Sequence, residues 1–304
     1  NKYVSTSSLI LSFLVLAATI VAGFIFGKEI YERKNPIFAS TKAPISNEDT
    51  KFFIDETPII LYFRSKVAVY LSDDEVKRLL DFKISVRSVD NNGKATNNET
   101  IINKCDLESY HNKSYYEIIR AELNQTGLQG DCISPNFFIN GKRSSVNDQF
   151  LTISVNKCKT NCTEKMNETV DGMFASIIHL NSYIEPTDYN NPIKSYFERF
   201  SIRINNNLSK ELTFSFTNNN IRTNRGWIFS EIEDKRYVSF DDVQRDVFFS
   251  STNLLNIYFD SPRLVYITTR DYIKVQDLLA NVGGFFNAVF IILGVLFSNL
   301  INFD

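Results

Sequence analysis

The chain has 304 residues, with 33 basic against 35 acidic residues, a formal net charge of -2, 43% hydrophobic and 22% charged. Those averages suit an ordinary soluble protein and hide an uneven distribution. Residues 3–27 contain no Asp, Glu, Lys or Arg, and neither do residues 278–303. The balanced charge and the lack of a basic cluster argue against nucleic-acid binding, and two His with one Trp leave little material for a His-based active site.

The first neutral run, 7–27, is long enough for a bilayer-spanning helix, which needs about 20 mostly apolar residues. A secretory signal peptide is the rival reading, but its apolar region is shorter and follows a basic stretch, whereas only Lys2 precedes this one. Residues 1–6 are expected to be the end of a truncated cytosolic tail. Lys28 to Lys34 reads as a helical continuation, broken before Pro36.

The middle, 28–277, holds about 250 residues, enough for one large β-rich domain or two small ones. Residues 59–71 form an apolar run rich in Ile, Val and Tyr, predicting a buried strand. Ser72-Asp73-Asp74-Glu75 is a capping-box pattern that opens a short helix towards Leu80. Phe82, Ile84 and Val86 alternate with polar residues, as in a half-buried strand, and Asn92-Gly93 predicts a hairpin turn. Further strands are expected at 150–155, 200–204, 212–216, 227–232 and 255–259. Asn205-Asn206-Asn207 supplies a turn. The polar stretches 91–100 and 156–169 read as surface loops.

All four cysteines, Cys105, Cys132, Cys158 and Cys162, lie in this middle. An even number in one subregion suits two disulfides in an oxidising compartment. Three pairings are possible, and Cys105–Cys132 with Cys158–Cys162 is favoured because each is local. A zinc site is the alternative, although Cys-x3-Cys alone is weak. N-glycosylation motifs start at Asn98, Asn112, Asn124, Asn161, Asn167 and Asn207. Asn makes up about a tenth of the chain, so their number proves nothing, but their placement is compatible with an outside domain. The basic flanks Lys28, Arg33, Lys34, Arg270 and Lys274 point the other way under the positive-inside rule.

The second run, 278–301, carries a stripe of small and polar residues. At 100° per residue, Ala280, Gly283, Gly284, Asn287, Gly294, Ser298 and Asn302 share one sector. Such a stripe lets helix backbones approach closely in lipid. It is read as a packing face between the two helices, a subunit interface or a pore lining. Residues 302–304 are expected to begin a second truncated cytosolic tail.

Residue patterns that could carry chemistry are few. His111 and His179 have no ligand-like spacing to any Cys or carboxylate, and the common hydrolase and nucleotide motifs are missing. The acidic clusters Asp241-Asp242 and Glu231-x-Glu233-Asp234 fit no calcium loop and read as solvated faces. No enzyme activity, cofactor or metal is expected.

Several segments of the second half resemble a large set of ciliate two-pass membrane proteins. These are Tyr189-x-Asn191-Pro192, Gly226-Trp227-Ile228-Phe229, Tyr258-Phe259-Asp260-Ser261-Pro262, and the stretch Arg270-Asp271-Tyr272 through Gly283-Gly284. The resemblance implies a helix, a large extracellular or lumenal domain and a second helix, in a plasma, ciliary or secretory-pathway membrane. The layout is also similar to trimeric two-helix cation channels and to cargo-cycling receptors of the early secretory pathway. The expectation is a membrane protein of the α+β class, with two transmembrane helices flanking a β-rich, disulfide-bonded domain. Its partners would be membrane lipids and other membrane proteins. A non-enzymatic component of a membrane assembly is the leading reading, with a channel subunit and a cargo receptor as alternatives.

Overall fold

The computed structural model describes residues 6–44, 52–53, 59–67, 69–99, 102–104, 131–133, 138–141, 148–158, 163–250, 252–262 and 264–301. Two long helices, α1 (Thr6–Glu32) and α4 (Val275–Ile301), flank a β-rich body. Both are long and apolar enough to cross a membrane.

In chain order the body contains β1 (Ile37–Pro44), β2 (Phe52–Phe53), β3 (Ile59–Arg64), α2 (Asp73–Leu79), β4 (Leu80–Val89), β5 (Ala95–Glu99), β6 (Ile102–Lys104), β7 (Asp131–Ile133) and β8 (Phe138–Ile139). There follow β9 (Gln149–Lys157), α3 (Glu164–Val170), β10 (Phe174–Ile184), β11 (Ile193–Arg203), β12 (Leu208–Asn224), β13 (Ile232–Phe249), β14 (Asn253–Asp260) and β15 (Leu264–Asp271). Among the described residues the larger sheet runs β1-β15-β12-β14-β9-β4-β5, with β13 also on β12. The smaller sheet runs β11-β10-β3-β7-β6, and β2 pairs β8.

Strand β12 is the spine of the larger sheet. One edge pairs antiparallel with β13 along its length. The other edge pairs in parallel with β14 over Lys210–Ser215 and with β15 over Asn219–Asn224. Burial alternates over Asn218–Asn224 of β12 and Leu151–Val155 of β9, marking a core-facing side, whereas Phe214–Thr217 at the centre of β12 is buried on both faces. That core joins Ile59, Leu61 and Phe63 of β3 and Ile177 of β10 to Ile153 and Val155 of β9, Phe214 and Phe216 of β12, and Phe259 of β14. Phe214 and Phe259 stack at 5.3 Å between ring centroids. Burying such rings is the main favourable term in folding, about 1.5–3 kcal/mol for each large apolar side chain.

Several local expectations hold. Ser72 and Glu75 close a reciprocal capping box at the start of α2, satisfying two backbone donors that a helix start leaves open. Asn92-Gly93 turns β4 into β5, with Gly93 at φ 77. Asp90 closes that turn by accepting from the Asn92 and Lys94 amides.

Others are corrected. The strand expected over 59–71 stops at Arg64, because the chain turns back and Tyr70 bridges Arg64. The loop expected over 91–100 contains β5, an exposed edge strand that polar residues form by pairing with β4. The loop expected over 156–169 contains α3, capped by the Thr163 side chain. The strand expected over 227–232 is a bent loop, and β13 begins only at Ile232.

Candidate functional site

The long helices meet each other and enter the body at one corner. Along α1, Val15, Ala22 and Ile30 are buried, and the element that α1 packs on is α4. Among the described residues, the half-buried positions of α4 are Val275, Leu278, Val282, Val289 and Leu293. These spacings of three, four and seven are those of a two-helix seam. The Thr19 hydroxyl donates to the Val15 carbonyl one turn back, so it needs no outside partner.

The stripe picked out in the sequence lies elsewhere on α4. Ala280, Gly283, Gly284 and Asn287 are exposed, and a Cβ built on either glycine would meet nothing within 4 Å. Gly294 and Ser298 lie further along α4, and their surroundings fall outside the described residues. Among the described residues, the Ala280, Gly283, Gly284 and Asn287 part of the stripe is therefore not on the face that meets α1.

At the end of α1 the helix is closed by Arg33, whose amide donates to the Glu29 carbonyl at 3.2 Å. Arg33 has φ 51, the left-handed conformation that glycine usually supplies at this place. For a side-chain-bearing residue it costs about 1–2 kcal/mol. The turn sends the side chain into an aromatic cage. Its guanidinium carbon lies 4.7 Å from the Trp227 ring centroid, 5.4 Å from Tyr272 and 5.8 Å from Tyr189. Arg33 is only 4% exposed, and its three side-chain nitrogens have no hydrogen-bond partner among the described residues. The nearby acids are engaged otherwise: Glu32 pairs with Lys28 and Lys34, and Glu29 accepts from Asn35. Ring faces are thus the partners of this charge, and a desolvated cation on such a face gains about 2 kcal/mol or more.

Two more guanidinium groups brace the cage. Arg270, fully buried on β15, donates to the Asp188 carbonyl at 3.0 Å and to the Tyr272 hydroxyl. Arg225 lies 5.0 Å from the Tyr189 ring centroid, pairs with Glu233 at 2.5 Å, and donates to the Asn190 carbonyl at 3.3 Å. Tyr189 and Tyr272 meet edge to face at 5.2 Å. Tyr189 belongs to the turn between β10 and β11. There Asp188 accepts from Lys194 and from the Asn190 and Asn191 amides, and the Lys194 contact above all holds its carboxyl below the usual range.

Trp227 sits in a loop that Gly226 makes possible. A Cβ on Gly226 would lie 1.6 Å from the Phe229 carbonyl oxygen, so no other residue fits without moving the backbone. The loop base is tied by the Arg225 amide to the Glu231 carbonyl. The Trp227 carbonyl accepts from the Val275 amide, the first residue of α4, at 3.0 Å, and Lys274 donates to the Ser230 hydroxyl at 2.9 Å. Three separate motif segments, around Tyr189, Trp227 and Arg270-Asp271-Tyr272, therefore converge where both helices join the body. The fourth, around Tyr258, serves the core: Asp260 accepts from Ser215 at 2.6 Å, and the Ser261 amide donates to the Gly141 carbonyl. Arg33 carried no motif signal, because its role depends on a backbone conformation unusual for Arg.

A second feature lies between the sheets. A cleft of about 400 Å³ is lined by Phe38, Tyr196, Tyr237, Tyr266, Asn181 and Asn219 among others, with no charged residue. Asn181 struts it: its amide nitrogen donates to Tyr196 and Glu198, and its oxygen accepts from the Phe240 amide of β13. Burial pushes the Tyr237 hydroxyl up to about 12. His179 lies deeper, 1% exposed among Phe214, Phe216 and Phe240. Burial pushes its pKa down, with Glu198 opposing.

The remaining sequence candidates are dispersed. Asn98 and Asn207 are exposed, Asn167 is half-buried in α3, and Asn112, Asn124 and Asn161 lie outside the described residues. Cys158 is half-buried and is not a free thiol. Cys105 and Cys162 lie outside the described residues, and Cys132 is placed in β7 by its backbone alone. His111 also lies outside them. The acids Glu233 and Asp234 pair with Arg225, Lys235 and Arg222.

No curated protein matches the chain. Among solved structures, one similar to it is a proton-activated chloride channel seen by cryo-EM, at 11% identity and TM-score 0.37, covering 96% of this chain and 95% of that one. Another is Erv41p, at 11% identity and TM-score 0.28, covering 76% and 99% respectively. Residues 66–261, well over half of the chain, match a family model that covers most of the β-rich body and neither long helix. The chain belongs to the family described as the N-terminal domain of an uncharacterised 80 kDa protein.

Proposed function

We propose that the chain is a two-pass integral membrane protein and a non-enzymatic component of a membrane assembly. It presents its β-rich domain on the extracellular or lumenal side, like the ciliate proteins it resembles. The observation that carries this reading is the junction: two apolar helices seat on each other and are fixed to the body through Arg33, Trp227 and Tyr272. These contacts couple the placement of the helices to that of the body. The bound state of Cys158 and the exposure of Asn98 and Asn207 support an oxidising, glycosylating compartment. The pairings Cys105–Cys132 and Cys158–Cys162 are part of the proposal.

Alkaline carbonate extraction of membranes, followed by deglycosylation and thiol labelling without reductant, tests it. Retention in the membrane, a mass loss on deglycosylation and no reactive thiols are expected. Release into the soluble fraction, or four labelled thiols with unchanged mass, contradicts it.

One observation favours the channel-subunit reading as a second. The small and polar face of α4, with Gly283, Gly284 and Asn287, is left open by α1, and such faces admit close helix contacts in lipid. Native mass spectrometry of the purified complex separates the readings. A symmetric homo-oligomer favours the channel, and a single copy among unlike chains favours the accessory role.

A further inference from the structure

We propose that the loop Trp227-Ile228-Phe229 lies in the headgroup layer of the bilayer and makes direct lipid contact. The inference rests on the two-pass reading and deepens it. Trp227 is 51% exposed, Ile228 50% and Phe229 81%, three consecutive apolar residues on one loop. The loop is not slack. Gly226 forces its bend, and the Arg225–Glu231 backbone bond closes its base. A fixed loop presenting such a surface to water is costly unless something covers it.

Its position points to the occupant. The Trp227 carbonyl is bonded to the Val275 amide, and its ring carries Arg33 on one face. Val275 stands three residues before the charge-free run that starts at Leu278, and Arg33 stands six residues after the run that ends at Gly27. At 1.5 Å per residue these offsets are about 4.5 and 9 Å along the helices. The headgroup layer is about 5–7 Å deep on each side of the hydrocarbon core, so Trp227, held between these two heights, sits at its outer edge. Trp is enriched there because its ring is amphipathic. Charges at this level nearly cancel: Lys28, Arg33, Lys34, Arg270 and Lys274 stand against Glu29, Glu32, Asp271 and Asp277. The contact is therefore apolar and aromatic in origin and does not require anionic lipid.

Trp227 is the single Trp of these 304 residues, so this chain reports on its own loop without any substitution. The chain is reconstituted into phosphatidylcholine vesicles, plain or brominated at shallow or deep acyl positions. Trp emission is read in each, with acrylamide as the aqueous quencher. Retention after carbonate washing is measured in parallel. The expected result is a loss of roughly half the emission with shallow bromines, less with deep ones, and weak acrylamide quenching. Adding phosphatidylserine should leave the pattern unchanged. A retained chain whose Trp is quenched by acrylamide but by neither bromolipid overturns the inference and leaves the two-pass reading standing. So does a retained chain shielded from all quenchers, which places the loop in a protein contact. Release by carbonate overturns both.

Discussion

The Arg33 guanidinium and the Trp227 indole face each other at 4.7 Å, joining the end of α1 to the loop that holds the start of α4. One residue, Trp227, thus ties both helices to the body, α1 through its ring and α4 through its carbonyl. Replacing Arg33 by Ala removes the cation and keeps the left-handed backbone, so it should destabilise the junction by about 2–3 kcal/mol. Arg33→Gly loses the same cation and relieves the backbone strain, so it should cost about 1 kcal/mol less. Arg33→Lys keeps a charge but loses the flat stacking surface, and should fall between wild type and Ala. Hydrogen exchange of the α1–β1 junction orders the three variants. Equal effects of Ala and Gly would show that the positive φ stores no strain.

The Gly226 loop gives a second test, because the steric demand there is on the backbone. A methyl group at 1.6 Å from the Phe229 oxygen cannot be accommodated by a side-chain move. Gly226→Ala should open the loop and release the Trp227–Val275 bond, at a cost of about 1–3 kcal/mol. Trp emission should shift and the junction amides should exchange faster, while the Phe214 core keeps its protection. Unchanged exchange at Val275 would mean the loop is not what holds α4.

How much of this was legible in the sequence depends on the range of each interaction. The Ser72–Glu75 box and the Asn92-Gly93 turn were readable because their partners lie within a few residues. The alternating strands were readable because period-2 burial marks a sheet face. The 227–232 segment opens with three apolar residues, like a strand, while Gly226 and the Arg225–Glu231 bond bend it. Helix α3 was hidden by polar composition, and only its Thr163 cap gave a local signal. Motif segments around Tyr189, Trp227 and Arg270 could be picked out separately, but their meeting around Arg33 is tertiary. Two of the cations counted for orientation, Arg33 and Arg270, prove to be buried structural groups. That weakens the charge count as a guide to sidedness.

His179 sets a pH dependence for the body. Its surroundings are Phe214, Phe216 and Phe240, with Glu198 the carboxylate that acts on it, and burial holds its folded pKa below the ordinary 6.5. The unfolded chain therefore binds the proton more readily. Stability is complete above about pH 6.5 and falls as pH drops from there towards the folded pKa. Melting temperatures between about pH 5 and 7.5 should show this slope, above the range where most carboxylates titrate. His179→Leu should flatten it. A slope that survives the substitution would assign it to other groups.

The two faces of the long helices predict opposite responses. Ala22 is buried against α4, so Ala22→Leu should force the pair apart at a cost of about 1–3 kcal/mol. Gly284 is open, with nothing within 4 Å of a built Cβ, so Gly284→Leu should leave the chain's own fold and helix pair unchanged. If that face is where another helix docks in the assembly, Gly284→Leu should nevertheless shift the native mass spectrum towards smaller species, because a bulky residue blocks close backbone approach. Thermal melts and native mass spectra of the two variants separate the roles. Should Gly284→Leu melt like wild type and keep the same oligomer, the open face meets lipid. The contacts within the assembly are then to be sought on the body or on the other exposed helix faces, such as Phe13, Ile20 and Phe24 of α1.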